Sequence, residues 1–256
     1  MTNSRFNTTV CLLPIFGVLI LAATSWAQQR LPIIEKLAKT YGLDSFGQIE
    51  AIRYTFKAEA PGVDLFRSWI WEPKTDQVTY EGKDKSGNPV RLTYLRAQLG
   101  SQSAEVKEDI DPGFVNDNYW LLLPIHFYRD TNAAVKDAGM QKLPLGTGSA
   151  EKVAVKYPSG GGYSQGDTWE FYVGNDGRIQ EIAYHGGGPA KFEVVATWTD
   201  YKKAGPLLLS LNHRGTHNGD PLNALEPTLS RAIELTPNLS ADYLTAETTV
   251  VTPANY

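Results

Sequence analysis

Apolar and polar positions along the chain change period more than once. From Val10 to Ala23 the residues are almost continuously apolar. From Leu31 to Gly42 apolar groups fall at 33, 34, 37, 38 and 41, the spacing of an amphipathic helix, with Pro32 suited to its first turn and Gly42 to its stop. At Ile52 the period drops to two: Ile52, Tyr54, Phe56 and Ala58 alternate with Arg53, Thr55, Lys57 and Glu59, which predicts a strand with one buried face. Strand-like runs then recur at 66–71, 77–81, 90–95, 152–157, 168–173, 178–184 and 192–199. Turn residues part them, at Pro73-Lys74-Thr75-Asp76, Ser86-Gly87-Asn88 and Asn175-Asp176-Gly177. The last predicts a tight hairpin, because Asp-Gly readily takes the positive φ angles that twisted strands need. Strands joined by hairpins, with no helices between them, predict an antiparallel sheet and argue against a βαβ nucleotide-binding fold.

The segment 114–127, FVNDNYWLLLPIHF, is apolar without a clear period and carries Pro124. It reads equally as a buried strand or a short helix. Residues Ala133 to Ala138 are expected to form a helical turn. Residues 246–256 lack a periodic partner and are expected to be a loosely ordered tail.

The first apolar run is about 14 residues long, short of the roughly 20 that span a bilayer. It follows Arg5 and ends in Ser25-Trp26-Ala27, so residues 1–27 are predicted to be a cleavable signal peptide. Residues 28–245 would then form one soluble domain with no membrane span. Cys11, the single cysteine, stands at the start of the apolar run rather than at its end, which argues against lipid attachment. Its loss with the leader removes disulfides, thiolate metal sites and a cysteine nucleophile together. The formal net charge of −4 gives no footprint for nucleic acid.

No cofactor motif is present. Ser159-Gly160-Gly161-Gly162-Tyr163 follows a strand but lacks the lysine of a phosphate loop. His213 and His217, with Asp220, have a spacing that on a helix would align two imidazoles on a metal. Gly215, Gly219 and Pro221 instead predict a polar surface loop, and no metal site is assigned. His126 reads as a core or rim histidine with one hydrogen-bonded nitrogen, and His185 as a hairpin-end residue. Asp109 and Asp111 could act as an acid pair, although surface carboxylates are commonly just solvated. No catalytic residue is assigned.

The opening helix, the FKAEA strand, the FRSWIWEPKTDQVTYEG hairpin, the FVNDNYWLLLPIHF segment and the DTWEFYVGNDGRIQEIAYHG hairpin together resemble secreted bacterial proteins related to the LolA and LolB carriers that sort outer-membrane lipoproteins. The similarity runs from about Leu31 to Leu211. It implies a mainly β, α+β fold: a strongly curved antiparallel sheet forming an unclosed half-barrel, with helices covering the concave side around an apolar cavity. It also implies a non-enzymatic, exported protein whose partner is an apolar small molecule, a lipid or a lipoprotein acyl chain, in the periplasm or outside the cell. Candidate lining residues are Trp69, Trp71, Tyr94, Trp120, Leu122, Trp169, Phe171 and Trp198, with ordinary core as the competing role of each. The carriers' arginine that locks sheet to helix has no clear counterpart, although Arg53 and Arg67 stand in strands of the right region. A secreted hydrolase of envelope polymers and a ligand-free envelope scaffold are the alternative functions.

Overall fold

The computed structural model of the chain describes residues 32–60, 63–160, 163–188, 192–217 and 232–239. The expected leader, residues 1–27, and the expected tail, residues 246–256, lie outside the described residues.

Helix α1 (Pro32–Thr40) buries Ile34, Leu37 and Ala38, the stripe that its period predicts. It stops at Gly42, whose φ of 100° is open to glycine at little cost. Twelve strands follow: β1 (Ile52–Ala60), β2 (Val63–Glu72), β3 (Gln77–Lys83), β4 (Pro89–Leu95), β5 (Ala134–Lys142), β6 (Ser149–Lys156), β7 (Thr168–Val173), β8 (Ile179–His185), β9 (Glu193–Thr197), β10 (Thr199–Ala204), β11 (Leu207–His217) and β12 (Ala232–Leu239). All pairings among the described residues are antiparallel. One sheet runs β4-β3-β2-β1-β12-β11-β9-β8-β7-β6-β5, and β10 pairs with the first half of β11 to make a second, small sheet. The edge strands β4 and β5 do not meet, so the sheet is an unclosed half-barrel.

The register aligns one face across the strands. Tyr54 lies opposite Trp69, Trp69 opposite Tyr80 and Tyr80 opposite Leu92; in the other half Val155 lies opposite Trp169 and Trp169 opposite Tyr184. Against this face lies α2 (Asp111–Arg129), which is the FVNDNYWLLLPIHF segment extended by three residues at its start and two at its end. The two readings left open by its sequence are thus settled as helix. It buries residues nearly all round, from Phe114 and Asp117 to Trp120, Leu123 and Phe127, which is why no amphipathic period showed. Pro124 sits inside it and Leu122 departs from helical angles (φ −118°, ψ 24°). Proline removes a backbone donor and crowds the carbonyl four residues back, and this bends the helix.

Two local expectations are corrected. Residues 133–138 are not a helical turn: Ala134–Lys142 is edge strand β5, paired with β6 through a bulge between Asp137 and Met140. Cross-strand pairing there outweighs the helix preference of the three alanines, Ala133, Ala134 and Ala138. The His213 segment is not a surface loop but the second half of β11. Gly215, read as a loop residue, is there because strands crowd it: a Cβ would stand 1.7 Å from the Val195 carbonyl oxygen. Gly215→Ala is therefore expected to cost at least ~2 kcal/mol, read as a lower urea midpoint with unchanged slope.

Candidate functional site

The site is built where β2, β3 and β4 meet the N-terminal half of α2. Strand alternation sends Arg67, Trp69 and Trp71 to the helix side of β2. Asp117, fully buried, receives the polar groups of the first two: Arg67 donates from Nε at 2.8 Å and from Nη2 at 2.5 Å, and Trp69 Nε1 donates at 2.8 Å, while Trp71 Nε1 donates to Asp76 Oδ1 at 3.0 Å. Gly113 lets Arg67 pass, since a Cβ there would stand 3.1 Å from Nη1. Burial pushes the Asp117 carboxyl above the usual range, against the opposing pull of Arg67. Arg67 thus ties sheet to helix, a role that its sequence context did not reveal. Arg53, at the position before Tyr54, belongs to the other face of β1.

A second buried carboxylate, Asp111, opens α2. Tyr94 Oη, Arg96 Nε and Tyr163 Oη all donate to it at 2.8 Å. Arg96 also reaches Asp76 at 3.3 Å. At the far end of the helix Asp130 accepts from Tyr119 Oη and Tyr157 Oη, both at 2.5 Å. Burial raises the Tyr94, Tyr119 and Tyr157 phenols and pushes Tyr163 up to about 12, so all four keep their protons as donors. His126 stacks on Tyr119 (ring centroids 4.1 Å, 4° between planes) and donates from Nε2 to Asn118 Oδ1 at 2.8 Å. Burial holds its imidazole down to about 4, hence neutral.

Two openings adjoin this framework. The larger is a groove of about 700 Å³ whose lining includes Phe66, Trp69, Tyr80, Pro89 and Ile110. Arg67, Lys83, Lys85, Glu81 and Asp109 are charged residues along it. The smaller is a cleft of about 320 Å³ past Trp71 and Phe114, reaching Arg96, His126 and Asp130. Phe114 packs edge-on against Trp69 (5.5 Å) and lies 6.0 Å from Trp71, so these rings stand between the two.

The eight predicted lining residues are all buried, and they separate into two groups. Trp69, Trp71 and Tyr94 belong to the site just described; Trp69 lines the groove and Trp71 the cleft. Trp120, Leu122, Trp169, Phe171 and Trp198 lie in the core at the other half of the sheet. There Trp120 packs on Trp198 (5.5 Å) and Trp169 (5.7 Å), and Phe171 stacks on Phe127 (4.7 Å). His213 belongs to this second group, 3.7 Å from the Trp198 ring. On a strand four residues span ~13 Å, so the helical spacing that would align His213 and His217 does not occur on β11. Among the described residues no group of three or more potential metal ligands occurs. Arg96, Asp117, Tyr119, Asp130, Tyr157 and Tyr163 were not predicted; single carboxylates and tyrosines carry no spacing signal until the fold brings them together.

The solved structures that the chain is similar to include two of low identity. One is a DUF1329 family protein from Desulfovibrio piger (9% identity, 82% of this chain and 92% of that one, TM-score 0.41). The other is an outer membrane lipoprotein-sorting protein domain from Vibrio parahaemolyticus (8% identity, 81% and 94%, TM-score 0.38). No family model and no curated protein matches the chain.

Proposed function

We propose that this is an exported binding protein whose groove over β2 and β3 holds the apolar part of a lipid or a lipoprotein acyl chain. The observation that carries the reading is the groove itself. Its volume of about 700 Å³ lies in the range of ligand sites, its lining includes Trp69, Tyr80 and Ile110, and Phe66 stands 63% exposed beside it. An exposed phenylalanine next to an apolar floor gains most from a partner that covers both. Charges of both signs along it suit the polar end of an amphiphile. Among the described residues no helix is long and apolar enough to cross a membrane.

A binding role is favoured over the hydrolase alternative by the fate of Asp109 and Asp111. Asp111 is fully buried and committed to three donors, while Asp109 pairs with Lys85 at the surface, 2.6 Å away. They do not face a shared opening as an acid and a base would. The filled core around Trp120 is compatible with a scaffold, but the groove gives that reading no account.

A fluorescent fatty acid titrated into the protein is expected to bind with saturation. Phe66→Ser, at an exposed position, should weaken binding about tenfold, as loss of one buried phenylalanine contact implies, with unchanged thermal stability. Absence of saturable binding to the unaltered protein refutes the reading.

A further inference from the structure

The cleft between Trp71 and Asp130 has a chemistry unlike the groove. The aromatic residues Trp71, Phe114, Tyr119, Tyr157 and Tyr163 contribute to its lining, together with the polar residues Asn132, Ser164, Arg96 and Asp130. Among the described residues its charged lining groups are Arg96 and Asp130, which sum to zero. Arg96 is matched by Asp111 at 2.8 Å and Asp76 at 3.3 Å, so it offers no surplus charge to an anion. Asp130 shares the cleft with that guanidinium and already takes two phenol donors, which disfavours a cation. His126, neutral and stacked on Tyr119, adds no charge.

We propose that this cleft binds a neutral polyhydroxylated ligand, of the class of a monosaccharide unit. A sugar ring combines a flat C–H face, which packs on aromatic rings, with hydroxyls that each donate and accept. The cleft supplies both kinds of partner: Asp130 accepts, Arg96 donates, and the Asn132 amide does both. Its volume of about 320 Å³ is at the small end of ligand sites. The groups are also fixed in advance. Asp111 anchors Arg96 and Tyr163, Asp130 anchors Tyr119 and Tyr157, and Asn118 accepts from His126 while donating to Tyr54 at 3.4 Å. A site held this way loses little entropy on binding. Tyr163, 47% exposed, reaches Asp111 from the glycine-rich β6–β7 connection and so closes one side of the cleft with a ring that solvent can reach.

The test is calorimetric titration of the purified protein with glucose, galactose, mannose and N-acetylglucosamine, with choline and inorganic phosphate as ionic controls. At least one sugar is expected to bind with saturation in the millimolar range or tighter. Asn132→Ala, at an exposed position, and Asp130→Asn should each weaken it about tenfold, the value of a lost hydrogen bond to a ligand. Fatty-acid probe binding in the groove should be unchanged in Asn132→Ala, which separates this proposal from the previous one. No saturable binding of any of the four sugars, sugar binding undiminished in Asn132→Ala, or tighter binding of choline or phosphate overturns it.

Discussion

Asp117→Ala is expected to cost about 3–5 kcal/mol, a large fraction of the stability of an ordinary domain. The loss arises because Arg67 and the Trp69 indole both donate to this one carboxylate, and removing it leaves a charge and an N–H in a site built to exclude water. The pair is nonetheless not a large net source of stability. Burial raises the Asp117 carboxyl, a sign that desolvation outweighs the attraction of Arg67. The double replacement Arg67→Met/Asp117→Leu should therefore recover a substantial part of the loss, because no charge then remains to be buried. Urea unfolding of the two variants measures this. A double variant as unstable as Asp117→Ala would mean that the ion pair itself, rather than the orphaned charge, holds α2 to the sheet. Trp69→Phe, which removes only the indole donor, should fall well short of the Asp117→Ala loss.

This prediction could be made only with the fold in hand. Alternation at 52–59, the hairpin turns and the strand runs were legible in the sequence because each depends on neighbours within a few residues. The half-barrel class followed from those strands together with the family resemblance. What stayed hidden depends on contacts distant in the chain. Ala134–Lys142 becomes a strand only by pairing with β6. Gly215, locally a loop signal, is required by the approach of Val195 from another strand. The site suffered most from this. Trp69 and Trp71 were found because their spacing of two puts both rings on one face, but the groups that organise them come from 96, 111, 117, 130, 157 and 163. A buried aspartate looks like any surface aspartate in sequence, and only the convergence of Tyr94, Arg96 and Tyr163 on Asp111 distinguishes it. The aromatic richness was likewise ambiguous, since a tryptophan against a core helix and one at the edge of a groove bury much the same area.

Acid should destabilise the protein through His213, the other large expected effect. The side chain is fully buried on β11 against Trp198 and Trp120, its Nδ1 lies 3.2 Å from the Thr197 carbonyl oxygen, and its Nε2 has no hydrogen-bond partner among the described residues. Burial is the main cause that holds its imidazole down to about 3, from an ordinary value of 6.5; hydrogen bonding to backbone carbonyls opposes the shift only in part. Between those two values the unfolded chain binds a proton that the folded chain refuses, so stability rises with pH there and falls on acidification. Above pH 6.5 both states carry neutral imidazole and the effect vanishes. Each tenfold difference in proton affinity is worth ~1.36 kcal/mol, so the penalty from this one side chain reaches on the order of 4 kcal/mol at the acid end of the window. His126, held down to about 4, acts in the same direction. His213→Leu removes the group that titrates while keeping an apolar side chain against the two tryptophans. Its urea midpoint should fall less steeply than that of the unaltered protein between pH 6.5 and 4, so that the variant gains relative stability as the solution is acidified. Parallel pH profiles for the two proteins would show that His213 already carries its proton in the fold, and with it a counter-charge beside Trp198.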